Sequence, residues 1–460
     1  MIEIALVAQV MVWLIAIGIF LWSGQASVFH PAGVYLAFHG LVFVVRPILV
    51  YAFNFDSSWL YMQFRPSDEV FIRTLAITSL ALVCLVASSL IVGRSQTRFF
   101  NPDPPSFTTE QLHALLVTTL LLLPAIAYSI YATRLGLQGE RVNGIFIMTN
   151  STGYINEAQD FLLPLLVMWM IVTRFSWLNL FPAMIYVGYR TWFGWSRWTV
   201  LLFFLLTVMC YCWYNHRKWV PFWSILVAIP VLLLFNLVGH NRMLLKSYLT
   251  GEDVQVANYS AGMTADDKFK AQFDTQDFAN FDFLTYVVWA VPFKTETYSF
   301  GAQYVQLFTE PIPRILWKGK PVGSPVRSIN VFAYGNFVGL TVSLPGDAWI
   351  NGGWVGVIVE LSIVGSLLGL AHRAFWKNSN NTAGCILYLV ALAMVPQWYR
   401  DGGISIAKFL LFSLTPVVIW VGMTWLMGPK LVPGYTVILP PGTTVRVVPQ
   451  AVGNSQKPKP

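Results

Sequence analysis

Charge is scarce in this chain. Of its 460 residues only 11% are Asp, Glu, Lys or Arg, against 56% that are hydrophobic, whereas a water-soluble domain carries about 25% charged residues. So few charges cannot cover a folded body of this size in water, which excludes a soluble enzyme or binding module and leaves the apolar surplus to face lipid. Cysteine is scarce too. Cys84, Cys210, Cys212 and Cys385 all fall inside apolar runs, so a disulfide framework is excluded, Cys210-x-Cys212 lacks metal-site spacing, and packing is their expected role. The six histidines are dispersed, and no phosphate-cradling glycine loop, dinucleotide fingerprint, His-Glu-x-x-His helix or nucleophile elbow occurs. No metal and no cofactor is expected. Nor is there an internal repeat or a matched pair of broken helices, which argues against a transporter built on inverted repeats.

What the chain has is apolar runs long enough to cross a hydrocarbon core of about 30 Å. They are expected at 4–22, 33–53, 71–93, 112–132, 159–174, 177–190, 197–213, 220–238, 352–371, 383–399 and 404–427, with Trp and Tyr at many of their edges, where amphipathic rings are favoured. The fifth to seventh are short and crowded. The expected fold is therefore an all-α polytopic membrane protein of about eleven spans. Residues 1–239 hold about eight spans, 240–344 form one long extracytoplasmic loop, 345–428 hold about three more, and 429–460 form a disordered cytoplasmic tail. The opening Met1-Ile2-Glu3 lacks the basic n-region of a cleaved signal peptide, so the first span is expected to be retained. Within the long loop, 281–293 is an apolar island too short to span, suited to an amphipathic or re-entrant piece.

Orientation follows from the cations. Arg94, Arg98, Arg174, Arg217, Lys218, Arg373, Lys377 and the Lys-bearing tail fall in alternate loops and mark the cytoplasmic side. The long loop and the N-terminus then face outward, but so do Arg65, Arg134, Arg141, Arg190, Arg197 and Arg400. These run against the usual trend and call for a cause such as an anionic ligand. The net charge of +8 is scattered over short loops, which fits anionic lipid or a phosphate-bearing substrate and not nucleic acid.

Five places could carry chemistry. Tyr35, His39 and Arg46 share one helix face in the second span, so Arg46 either faces a wet interior or snorkels to the outer headgroups. Arg190 and Arg197 bracket the turn TWFGWS, which suits a lipid-linked saccharide, through aromatic stacking and guanidinium–phosphate forks, or is a plain interfacial belt. The stretch 311–321, PIPRILWKGKP, sets Arg314, Lys318 and Lys320 around Trp317 with no acid among them. It could hold a pyrophosphate and stack a sugar on Trp317, the alternative being a solvated basic loop. Asp347, at the outer end of the ninth span, either caps that helix or takes a proton from a hydroxyl. Arg400 and Asp401 form a second outer pair, or simply a local ion pair.

At 313–321, Pro-Arg-x-x-Trp-x-x-Lys-Pro, the chain resembles the Wzy-type O-antigen and capsule repeat-unit polymerases. Residues 29–47 are similar to their second-span region, GWSRW around Arg197 to their arginine-bearing turn, and 346–353 to their entry into a late span, although many relatives have Glu where this chain has Asp347. The resemblance implies a metal-independent glycosyltransferase of the helical class that uses polyprenyl-linked donors (a GT-C-like architecture). It would join polyprenyl-pyrophosphate-linked oligosaccharides at the periplasmic face of a bacterial inner membrane. Its partners would be that lipid-linked oligosaccharide, the bilayer, and a chain-length regulator and flippase of the same pathway. Arg314, Lys318, Lys320, Arg197 and Arg46 would then hold the departing pyrophosphate, Asp347 would be the base with Asp401 behind it, and Trp317 would stack on sugar. An O-antigen ligase shares the donor, and a lipid-linked oligosaccharide flippase is the rival from another class.

Overall fold

The computed structural model describes residues 1–94, 107–134, 139–142, 145–148, 153–192, 197–222, 224, 226, 279–302, 304–305, 317, 329 and 341–428. Seven helices among them are long and apolar enough to cross a membrane: α1 (Ile2–Trp22), α2 (Pro31–Phe53), α4 (Asp68–Val92), α5 (Thr109–Arg134), α10 (Leu344–Lys377), α11 (Thr382–Asp401) and α12 (Gly403–Met427). The chain is an α-helical, multi-pass membrane protein. Where the crowded fifth to seventh spans are expected, it forms a 3-10 turn (Gly153–Phe161) and the shorter helices α6 (Leu162–Val172), α7 (Leu180–Trp192) and α8 (Arg197–Tyr214). The expected eighth span lies almost wholly outside the described residues. Two further helices, α3 (Ser57–Met62) and α9 (Asn280–Ala290), a second 3-10 turn (Trp177–Asn179) and an antiparallel hairpin pairing Gly139–Val142 with Ile145–Met148 complete the described elements. The hairpin departs from the all-α expectation. Its second strand, IFIM, carries the β-branched and aromatic residues that strands favour.

Local chemistry sets the helix starts. The Ser67 side chain accepts from the Val70 N–H at 3.4 Å, with Asp68 and Glu69 in the first turn, where the helix dipole favours acids. His30 Nδ1 accepts from Ala32 N–H at 3.1 Å just before Pro31. Midway along α2 the backbone widens into a π-helical stretch, Gly40–Val45. Gln9 of α1 donates to the carbonyl of Phe43 in that stretch (2.5 Å) and to Thr78 Oγ1 of α4 (2.8 Å). A polar side chain in the apolar layer thus joins three helices where the regular ladder is broken.

The closest helix contact is between α4 and α10. A Cβ on Gly365 would fall 2.1 Å from Ser88 Oγ and 2.5 Å from the Leu85 carbonyl, and one on Gly369 would fall 2.6 Å from the Ser89 carbonyl and 2.8 Å from Gly93 N. Residues rise together along both helices, so the two run parallel. Lipid gives helices no hydrophobic reason to associate, and small residues that let backbones approach take over that role.

The contacts sort the loops onto two ends. At one, His30 stacks on His372 with ring centroids 4.1 Å apart and the Tyr388 hydroxyl donates to the Phe29 carbonyl at 2.6 Å. Arg94, Arg174, Arg217, Arg373 and Lys377 belong to this end and are all exposed. At the other, Tyr51 meets Glu3, Arg46 meets Asp282, and Asn280 meets the Arg400 carbonyl. The alternation expected from the loop cations therefore holds for the described ones, and Arg98 and the Lys-bearing tail lie outside the described residues.

Replacing Gly365 or Gly369 with Val should cost at least the ~1–3 kcal/mol typical of overpacking, because backbone atoms of Leu85 or Ser89 stand in the way, with Ser88 Oγ beside them at Gly365. Thermal melting in detergent measures it. Gly422→Ala, with nothing within 4 Å of the added carbon, should melt like the parent.

Candidate functional site

Arg46 is 2% exposed, so the snorkelling alternative does not occur. Its Nη2 lies 2.5 Å from Asp282 Oδ2 and 3.1 Å from the Phe55 carbonyl, and its Nε is 3.2 Å from Asp282 Oδ2. Asp282 belongs to α9, the apolar island of the long loop. Instead of lying amphipathically on the surface, α9 is buried on all sides and packs against α2, α3, α4 and α10. Its sequence, NFDFLTYVVWA, is apolar round most of the helix, and such a helix is stable only when covered. The Trp59 indole donates to the Asp282 carbonyl at 3.2 Å, tying α3 to the same point. Tyr35 and His39 are also fully buried, but His39 packs between the rings of Tyr35 and Phe43 and does not join the ion pair.

Asp347 occupies a different place from the expected helix end. At Gly352 and Gly353 the backbone of α10 leaves helical geometry, with Gly353 at φ +57°, so residues 344–351 form a short arm folded back from the span that follows. Gly353 permits this because a side chain there would meet the Tyr298 hydroxyl at 2.8 Å. The arm is buried from Leu344 to Ile350. Asp347 does cap a helix, but not its own: its Oδ2 accepts from the N–H of Gly403, the first residue of α12, at 2.5 Å. Gly402, at φ +83°, turns the chain over the carboxylate so closely that an added Cβ would sit 2.4 Å from Oδ2. Asp347 Oδ1 is buried and accepts no hydrogen bond among the described residues.

Glu360 stands beside it, near enough for the two carboxylates to feel each other's charge. It accepts from the Tyr304 hydroxyl and, at 2.7 Å, from the Asn351 side chain. Asn351 in turn receives the Gly301 N–H at 3.2 Å. Sequence reading missed Glu360, although an acid in mid-run of an apolar span is itself a signal of function.

Arg400 and Asp401 adjoin this group, with Nη1 and Oδ1 3.3 Å apart, and Asp401 also receives the Gln397 amide. The local ion pair is therefore present, and it is part of the larger cluster: Asn280 of α9 and Thr341 both donate to the Arg400 carbonyl at 3.0 Å. Arg190 lies apart, 1% exposed and paired with Asp160, with the rings of Tyr186 and Tyr189 5.4 and 5.7 Å from its guanidinium. It is no exposed interfacial belt residue. Acidic neighbours, and not only a ligand, thus account for these arginines: Arg46, Arg190 and Arg400 each face an Asp, and exposed Arg65 lies 3.9 Å from Asp56. Trp317 is 38% exposed. Arg314, Lys318 and Lys320 lie outside the described residues, as do the side chains of Arg134, Arg141 and Arg197.

The chain matches no protein-family model, no curated protein and no solved structure. The site is therefore read from its own geometry: a buried carboxylate, Asp347, with one oxygen unengaged among the described residues, and a half-buried one, Glu360, at the end of the bundle where short buried helices replace spans.

Asp282→Asn or Arg46→Met alone should destabilise the protein by about 3–5 kcal/mol, because each strands a buried partner. The double variant should recover a large part of that loss. A double-mutant cycle from melting curves checks the coupling.

Proposed function

We propose that the protein is a metal-independent glycosyltransferase that polymerises polyprenyl-pyrophosphate-linked oligosaccharide repeat units at the outer face of a bacterial inner membrane. The observation that carries this reading is Asp347, a buried carboxylate held by the Gly403 N–H beside Glu360, with Oδ1 unengaged among the described residues. The likeness of residues 313–321 to the polymerase pattern supports it. So does the sorting of exposed cations to the opposite end, which by the positive-inside trend faces the cytoplasm.

In the proposed reaction the acceptor sugar's hydroxyl oxygen forms a bond to the anomeric carbon of the growing chain. The bond from that carbon to the pyrophosphate oxygen breaks, and polyprenyl pyrophosphate leaves with the electron pair. Asp347 takes the hydroxyl proton. Arg314, Lys318 and Lys320, with Arg197, bind the leaving pyrophosphate. Arg46 is assigned a supporting role, since Asp282 already engages its Nε and Nη2; it fixes α9 against α2 beneath the site. Glu360, through Asn351 and Tyr304, holds the short arm on which Asp347 is mounted.

A ligase would use the same donor with a lipid-core acceptor. A flippase would call for a polar path through the bundle, whereas buried ion pairs among the described residues gather at one end. Purified protein in liposomes, given lipid-linked repeat units alone, should produce a ladder of longer chains. Unchanged units, or units only moved across the bilayer, overturn the proposal, and transfer only to a lipid core would make it a ligase. Asp347→Asn should lower polymer formation about 100-fold or more, as loss of a general base does, with melting changed far less. Glu360→Gln should have a smaller effect.

A further inference from the structure

The arm that carries Asp347 is packed on the span behind it. Gly356 lies so near the Ala348 carbonyl that an added Cβ would sit 2.2 Å from that oxygen. Asp347 precedes Ala348, and Glu360 stands one helical turn beyond Gly356, on the same side of the span. Backbone packed on backbone thus brings the two acids together. Tyr304 closes a second link to the same place. Its hydroxyl donates to Glu360, and its ring edge would meet a Cβ on Gly403 at 2.9 Å. Gly403 in turn gives its N–H to Asp347.

The two carboxylates are not equivalent. Glu360 accepts at both oxygens, Oε1 from Tyr304 and Oε2 from the Asn351 amide. That amide cannot turn round, because Asn351 Oδ1 already receives the Gly301 N–H at 3.2 Å. Asp347 accepts at Oδ2 alone, and its Oδ1 is buried with no partner among the described residues. A buried carboxylate oxygen without a donor is costly when charged, so it is where a proton settles. The other charged groups of the described residues around the arm face one another: Arg400 meets Asp401, and Arg46 of α2 meets Asp282 of α9. Tyr298 lies against Gly353. Glu360 is the charge that Asp347 meets. An isolated aspartate, at about 3.9, is a poor base at neutral pH, and proton transfer is most effective from a group poised near the operating pH. A fixed negative neighbour closes that gap, because it favours the neutral form of the acid beside it.

We infer that Glu360 is a positioning residue that works by its charge: held by Tyr304 and Asn351, it makes Asp347 Oδ1 the seat of the one proton that the pair takes up. The inference rests on the reaction proposed above. There the O–H bond of the acceptor sugar breaks and its electron pair enters the new bond to the anomeric carbon. The proton passes to Asp347 Oδ1, and water collects it before the next transfer.

The test follows the proton itself. Dicyclohexylcarbodiimide adds to a protonated carboxyl in an apolar site and not to a carboxylate, and mass spectrometry of the full chain in nanodiscs locates the adduct. As pH rises, the label on Asp347 should disappear at a higher pH in the parent than in Glu360→Gln, by about one unit or more. Glu360→Asp keeps the charge and should stay near the parent, although Gln copies the shape of Glu more closely. A merely structural role predicts the reverse order. The acid limb of polymer formation in liposomes should move with the label. If Glu360→Gln does not fold, Tyr304→Phe serves instead and should bring label onto Glu360 as well. Label on Glu360 alone in the parent, none on Asp347 at any pH, or the same fall-off in parent and Glu360→Gln overturns the inference. Labelling needs no turnover, so the expected pattern in a protein that makes no polymer sinks the polymerase reading alone. Polymer formed with an acid limb that Glu360→Gln leaves in place sinks the role of Glu360 alone.

Discussion

The rest of the fold depends on the contact between α4 and α10. Two glycines of one helix lie on the backbone and serines of the other, at distances that admit no side chain. In lipid this is among the few ways to gain attraction, because packing and Cα-level proximity replace the missing hydrophobic drive. The contact fixes α10 in a parallel register with α4. That register decides where α10 ends its span, where its short arm turns back, and which wall of α4 is left for α9. Phe71 of α4 meets Phe281 of α9 at 5.2 Å, so one helix supports both pieces of the polar end.

From that frame the polar end is assembled by chain segments that do not cross the bilayer. α9 and the arm 344–351 carry acids, Asp282 and Asp347, into the protein, where each finds a partner on a spanning helix: Arg46 of α2 and the first N–H of α12. Irregular backbone at such depth is stable only where protein and not lipid surrounds it. Burial of every residue but Trp289 in the one and Asn351 in the other satisfies that requirement. Breaking the spans in this way keeps ionised groups away from hydrocarbon while holding them fixed.

Much of this was legible in the sequence. Composition and run lengths gave the membrane class, and the alternation of loop cations gave the two ends. Tyr35, His39 and Arg46 all point inward, but the widened turn between His39 and Arg46 breaks the regular spacing that sets them on one face. The partner of Arg46 was not legible, because it lies 236 residues away and no local rule links the two. Length alone suits α9 to an amphipathic or re-entrant piece, and its lack of a polar face is the better guide to its burial. Glu360 was averaged away in a run of apolar neighbours. The turn at Gly352–Gly353 looked like a helix start because nothing local says that the residues before it also coil. The basic stretch around Arg314, the sharpest sequence feature, lies outside the described residues, so its place relative to Asp347 belongs to the proposal.

The widened turn in α2 has a consequence of its own. A π-helical stretch holds one residue more than the α-helix it interrupts, and each residue turns the helix by about 100°. Everything beyond Gly40–Val45 is therefore rotated relative to everything before it, and Arg46 is the first residue after the stretch. The stretch works as a phase adjuster between the two halves of one span. It lets Tyr35 and His39 fill the lower core while Arg46 is aimed at α9, so losing a single residue there would point the guanidinium away from Asp282 without changing any residue in the ion pair itself.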